Sequence, residues 1–216
     1  MWQRVNTGMG ASPAPDLDAQ LMLRVRDGDE DSFRVLLDKH RNPLCHFLYR
    51  MVQDQAVCEE LAQEVFLRIY KSRQSYEPTA RFTTWMFRIA THLALNSLRD
   101  EKNERAQERL DGRVGGRGAG RNGRGDELPM REVADRKPSV EQRMVYQAKL
   151  QEVRDAIAKL PEKQRAAVLM HKYEEMEYAQ IANVLECSES AVKSLLFRAY
   201  ESLRARLAHM VVGGAV

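Results

Sequence analysis

Between Gly112 and Gly125 the chain reads GRVGGRGAGRNGRG. Seven of its 12 glycines fall in this run, interleaved with Arg113, Arg117, Arg121 and Arg124 and with no acid among them. Such a stretch cannot bury enough apolar surface to offset the entropy of ordering it. It therefore reads as a flexible linker between two structured blocks. Its arginines have two readings, a spacer kept soluble by charge or a basic strap lying along nucleic acid or an acidic protein channel. At 216 residues, the chain has room for one medium domain or two small ones.

Both blocks carry helical periodicity, and no stretch alternates with period two, so no sheet is expected. In the first block Leu21–Arg26 begins a helix that stops at Asp27-Gly28-Asp29. Asp31 or Ser32 can cap the next, which places Phe33, Leu36, Leu37, Leu44, Phe47, Leu48 and Met51 inward. Pro43 falls inside that pattern and predicts a kink or restart. Ala56 to Ser72 forms a third helix, and Thr83 or Thr84 opens a fourth with Trp85, Ile89 and Leu93 inward. The second block begins near Val140. Tyr146, Leu150, Val153, Ile157 and Leu160 mark a helix ending at Pro161, which suits the first turn of its successor. Val168, Leu169 and Tyr173 face inward there. Fraying is expected after about Ala208.

The end of the second block carries the functional signal. Glu177 to Arg206 reads as two short helices broken at Glu186-Cys187-Ser188. Ile181, Val184 and Leu185 give the first an apolar edge, and Val192, Leu196, Ala199, Leu203 and Leu207 line one face of the second. The opposite face carries Ser190, Lys193, Ser194, Phe197 and Arg198. Hydroxyls, cations and one aromatic suit a helix entering a DNA major groove, although a solvated helix pair in an ordinary bundle has the same pattern.

Composition narrows the classes. The net charge of +3 leaves attraction to nucleic acid to local patches. Three cysteines, Cys45, Cys58 and Cys187, with no secretory signal argue against a disulfide framework and for a reducing cytoplasm. His40, Cys45, His46 and Cys58 match no zinc spacing, so neither a metal nor a cofactor is expected. No apolar run approaches the ~20 residues of a membrane span. No nucleophile set, paired acids or phosphate-binding loop marks an enzyme.

Six motifs, in order, resemble the extracytoplasmic-function (ECF) group of bacterial RNA polymerase sigma factors, in the sigma-70 superfamily. Gly28-Asp29 with Phe33 resembles the GDxxAF opening, Ala62-Gln63-Glu64-Val65-Phe66 the VQExF helix, and Phe82 to Ala90 the FxxWLYRIA run. Leu160 to Arg165 is similar to LPxxQR, Tyr178 to Ala182 to YxEIA, and Ala191 to Ser194 with Phe197 to Ala199 to the TVKSR-hRAR recognition helix. The resemblance implies an all-α chain of two small helical domains joined by a flexible linker. Residues 1–17 would be a disordered tail, 18–103 sigma domain 2, 104–139 the linker, 140–210 sigma domain 4 with its helix-turn-helix, and 211–216 a frayed tail.

It also implies a cytoplasmic, non-enzymatic initiation factor, nucleoid-associated in holoenzyme. Its partners would be core RNA polymerase, promoter DNA and an anti-sigma factor. Ser190, Lys193, Ser194, Phe197 and Arg198 would meet the minus-35 element. Tyr76, Arg81, Phe82, Arg88, His92, Asn96 and Arg99 would meet the minus-10 strand. Glu60, Gln63, Glu64 and Leu67 would dock on the clamp helices of the largest polymerase subunit. The chain departs from the pattern at His92, Leu195, Tyr200, Ala191, Glu186 and Glu177. Two rivals are a dimeric helix-turn-helix regulator without polymerase contact and a helical interaction protein without DNA binding.

Overall fold

The computed structural model describes residues 16–110 and 140–212; the glycine/arginine run and both expected tails lie outside the described residues, except Asp16, Leu17, Val211 and Val212. Every regular element described is helical. α1 (Leu17–Arg26), α2 (Glu30–Val52), α3 (Gln55–Lys71), a short 3-10 turn (Arg73–Ser75) and α4 (Phe82–Leu110) make a first module. α5 (Val140–Ala158), α6 (Glu162–Lys172), α7 (Tyr178–Leu185) and α8 (Glu189–Val212) make a second. The helical architecture agrees with the sequence expectation, but α4 runs beyond residue 103 and α8 beyond Ala208.

The first module is organised by carboxylates at helix starts. Asp16 caps α1, accepting from the Asp18 N–H at 3.2 Å, and its second oxygen accepts from the Phe82 N–H at 2.7 Å. One side chain thus satisfies orphan donors of two helices far apart in sequence. Asp29, rather than Asp31 or Ser32, caps α2, taking both the Ser32 N–H (3.1 Å) and its hydroxyl (2.7 Å). Asp54 caps α3 through the Val57 N–H. Asp18 is itself buried and pairs with Lys39 (2.6 Å) and His40 (2.9 Å), joining α1 to α2. Burial pushes the His40 imidazole below its usual pKa against the pull of Asp18.

Pro43 does not restart α2, which is continuous from Glu30 to Val52. The lost backbone donor is outweighed by packing on either side: Leu36, Leu44, Phe47, Leu48 and Met51 are almost wholly buried. The fourth helix also differs from expectation. Its inward face is Phe82, Met86, Phe87, Ala90 and Ala94, while Trp85 and Ile89 are half-buried. Leu93 is buried as expected. In the second module Pro161 is the N-cap of α6 rather than its first turn, and Tyr173 points outward. Val168, Leu169, Ile181, Val184, Leu185, Val192, Leu196 and Ala199 form the core there.

Asp16→Ala should lower stability by about 1–2 kcal/mol, the usual cost of losing a cap, in urea unfolding followed by circular dichroism. Asp16→Asn should recover only part of this. An amide has one acceptor oxygen, and both carboxylate oxygens are used here.

Candidate nucleic-acid interface

The helix pair α7–α8 is assembled by local rules. The Gln180 side chain accepts from the Glu177 N–H at 2.9 Å, closing the start of α7. Glu186 ends α7 in the left-handed region (φ 51°), and the Cys187 N–H returns to the Ala182 carbonyl at 3.0 Å. The Ser188 hydroxyl then accepts from the Ala191 N–H at 3.2 Å and starts α8. Burial of Val192, Leu196 and Ala199 orients α8 so that Ser190, Lys193, Ser194, Phe197 and Arg198 all face outward, Phe197 being 68% exposed. An aromatic ring so open to solvent contributes little to folding. The Ser194 hydroxyl donates to the Ser190 carbonyl at 3.1 Å, and the Lys193 ammonium stands 6.0 Å from the Tyr178 ring centre.

The second set of predicted residues is divided. Arg88, His92, Asn96 and Arg99 share an exposed face of α4, with Arg99 donating to the Asn96 side-chain Oδ1 at 3.2 Å. Arg81 is exposed just before that helix. Between α3, the following turn and α4 lies an open cleft of about 660 Å³, lined by Arg68, Lys71, Tyr76, Glu77, Trp85 and Ile89 among others. Its volume falls in the range that holds small ligands, and cations and aromatic surface meet in it.

Two residues of the set need correction. The Phe82 side chain is fully buried, so it is core, and only its backbone serves the site by fixing the start of α4. Tyr76 is also buried, 4.9 Å from the Trp85 ring, and forms cleft wall rather than a free stacking platform. Burial and the nearby Asp16 and Asp18 carboxylates push the Tyr76 hydroxyl up to about 12. Trp85, which periodicity assigns to the core, supplies open aromatic surface in the cleft. On α3, Glu60, Gln63 and Leu67 are exposed, while Glu64 is half-buried and bonded to Arg68 at 2.6 Å.

The two modules pack against each other through residues that periodicity does not single out. Glu186, in the α7–α8 turn, accepts from Arg88 at 2.6 Å and lies 3.8 Å from His92. The hydrogen bond and charge of Arg88 hold its carboxyl below the usual value. Lys102 pairs with Glu162. Arg165 is 9% exposed and donates to the Met51 carbonyl at the end of α2 and to the Ala158 and Leu160 carbonyls. The Arg50 guanidinium lies 4.0 Å over the Tyr173 ring, and burial pushes the neighbouring Glu174 carboxyl up to about 7 against the pull of Arg50. A smaller cavity of about 80 Å³ is lined by Tyr76, Trp85 and Arg88 from one module and Asn183 from the other.

Two family profiles match the chain. "Sigma-70 region 2" covers residues 36–104 and "Sigma-70, region 4" covers residues 150–203. The chain is 30% identical over 188 residues to the RNA polymerase sigma-H factor of Pseudomonas aeruginosa, spanning 86% of this chain and 91% of the relative. It is 29% identical over 185 residues to the ECF RNA polymerase sigma factor SigW of Bacillus subtilis, spanning 85% and 93%. Among solved structures it is similar in fold to CnrH bound to the cytosolic domain of CnrY (TM-score 0.61, 18% identity, 93% and 100% covered). It is likewise similar to the sigma factor RpoE bound to the anti-sigma factor NepR from Bartonella quintana (TM-score 0.56, 20% identity, 82% and 96% covered).

Glu174 lies beside Arg50 of the first module, so its raised pKa should make the inter-module packing pH-dependent. The closed arrangement retains a proton between pH 4.5 and about 7 that a solvated carboxyl has lost. Closure is therefore strongest at the acid side of this window, weakens as pH rises through it, and levels off above about 7. Small-angle scattering should show the radius of gyration rising across that interval. Glu174→Gln should flatten this contribution and hold the compact form at pH 8.

Proposed function

Because the chain belongs to the extracytoplasmic-function group of the sigma-70 family, we propose that it binds core RNA polymerase and directs initiation at promoters with two separate contact elements. It is not an enzyme. The observation that carries the reading is the α8 surface. Five polar, cationic or aromatic side chains stand exposed on a helix whose other face is locked into a core. In this reading α8 enters the major groove at the minus-35 element. Lys193 positions on phosphate, Arg198 reads a base edge or phosphate, and Ser190, Ser194 and Phe197 complete the contact.

The first module holds the minus-10 strand. Arg81, Arg88, His92, Asn96 and Arg99 offer donors along α4, and the adjoining cleft, with Trp85 and Tyr76 in its wall, receives an unstacked base. Glu60, Gln63, Glu64 and Leu67 dock α3 on the clamp helices of the polymerase. The domain division follows as 18–103 and 140–210, with α4 carrying the first module's last helix onward to Leu110. In the packed arrangement Arg88 and His92 are engaged by Glu186, so promoter binding requires α7 to leave α4. An anti-sigma partner is supported by the Bartonella relative, which was solved with one. A free-standing helix-turn-helix regulator is disfavoured because it has no use for a sigma-70 region 2.

Run-off transcription with purified core enzyme tests the whole reading: defined start sites should appear only when both proteins are present. A palindromic footprint by this protein alone would overturn it. Lys193→Ala with Arg198→Ala should reduce promoter-specific transcript about tenfold or more, and unchanged transcript would remove those residues from the interface. Gln63→Ala with Glu64→Ala should weaken core binding by about 1–3 kcal/mol with helix content intact. Unaltered affinity for core would show that α3 docks elsewhere.

A further inference from the structure

We infer that Cys45 and Cys58 form a peroxide-oxidisable dithiol, in which Cys45 is attacked by a small hydroperoxide and Cys58 resolves it to an α2–α3 disulfide. Neither residue belongs to the DNA-facing or polymerase-facing sets. Cys45 sits on α2 and Cys58 on α3, and both are free thiols. The Cys58 thiol donates to the Cys45 carbonyl oxygen at 3.2 Å, and the two side chains are near enough to shift each other's titration. Cys58 is 1% exposed, whereas Cys45 is half-buried. A buried cysteine alone is explained as a small apolar filler. That does not account for a second, solvent-reachable thiol against it, one turn from Arg41. The two sulfurs therefore have different access to solvent, which sets the order of attack.

The electrostatics support the same order. The contact with Cys58 and the charge of Arg41 pull the Cys45 thiol below its usual value, against burial and the Glu59 carboxylate on α3. The contact with Cys45 and burial push Cys58 up, so it remains a protonated donor. A lowered pKa raises the share of Cys45 present as thiolate, the reactive form. The Cys45 thiolate attacks one oxygen of ROOH. An S–O bond forms, the O–O bond breaks, and RO⁻ takes a proton and leaves as ROH. The Cys58 sulfur then attacks the Cys45 sulfur. The S–S bond forms, the S–O bond breaks, and hydroxide leaves with the Cys58 proton as water. In sum, two thiols and ROOH give one disulfide, ROH and water, with two electrons passing from sulfur to peroxide. The partial burial of Cys45 favours a compact oxidant over glutathione disulfide. A bridge here would pin the N-terminal half of α3, which bears Glu60 and Gln63, to α2.

The full-length protein, reduced and then exposed to hydrogen peroxide, tests this by peptide mass mapping. A Cys45–Cys58 cross-linked peptide should form, lighter by two hydrogens and restored by dithiothreitol. Cys45 should be consumed several-fold faster than Cys187 in the same molecule. In Cys58→Ser the reaction should stop at a dimedone-trappable sulfenic acid on Cys45, and in Cys45→Ser the Cys58 thiol should stay reduced. Oxidation of Cys187 as fast as Cys45, or disulfides only between molecules, would overturn the proposal. The wild-type map decides this without any variant, so a folding defect in either substitution does not obscure it.

Discussion

A single buried guanidinium connects the two halves of this molecule. Arg165 comes from the start of α6, and its donors close the α5–α6 connection at Ala158 and Leu160 and cross to the Met51 carbonyl in the last turn of α2. Those carbonyls stand at or just beyond helix ends, where backbone acceptors have no intrahelical partner. A guanidinium is suited to the place because it offers five donors in a fixed plane and tolerates partial dehydration better than an ammonium. The arrangement has a cost. Burial lowers the Arg165 pKa, its Nε finds no acceptor, and Glu162 supplies only a nearby charge. Removing the side chain would leave those acceptors buried together, which costs more than the bonds themselves contribute. The inter-module ion pairs, by contrast, are exposed and individually weak.

The turn at Glu186 shows how a local backbone penalty and a long-range contact meet. A non-glycine residue in the left-handed region is disfavoured by about 1 kcal/mol. Its carboxylate, however, reaches Arg88 and lies near the His92 ring on α4. Glycine there would relax the backbone and remove the only carboxylate among the described residues that touches Arg88 or His92. The helix-turn-helix is therefore joined to the other module through its own turn.

Much of this was legible from residue spacing. The stripe Val192, Leu196 and Ala199 is buried, and the residues opposite it are exposed, because a long, strongly periodic helix with one wet face leaves little choice. The start of α4 was not legible in the same way. Two apolar stripes run along it, Trp85-Ile89-Leu93 and Phe82-Met86-Ala90, and they share a border. Only the rings and helices packed against them decide which goes inward, and Phe82 took the place that Trp85 was expected to fill. Asp16 was hidden by its surroundings, since a proline-rich tail masks an aspartate that ends up capping two helices. Inter-module contacts leave no periodic trace at all, so Glu186, Arg165 and Asn183 could not be picked from the chain alone. Cys45 and Cys58 are thirteen positions apart and become neighbours only through the α2–α3 packing.

The Arg88–Glu186 pair also bears on how the molecule spends its time when no polymerase is at hand. A chromosome offers an enormous excess of irrelevant phosphates, and any open row of cations is drawn to them. With Arg88 occupied by an internal anion, the α4 row presents less positive potential to passing duplex, while the α8 surface keeps its own. On the proposed reading, the folded chain offers irrelevant duplex a weaker α4 grip beside an unaltered α8 one, which lowers its background occupancy of the genome.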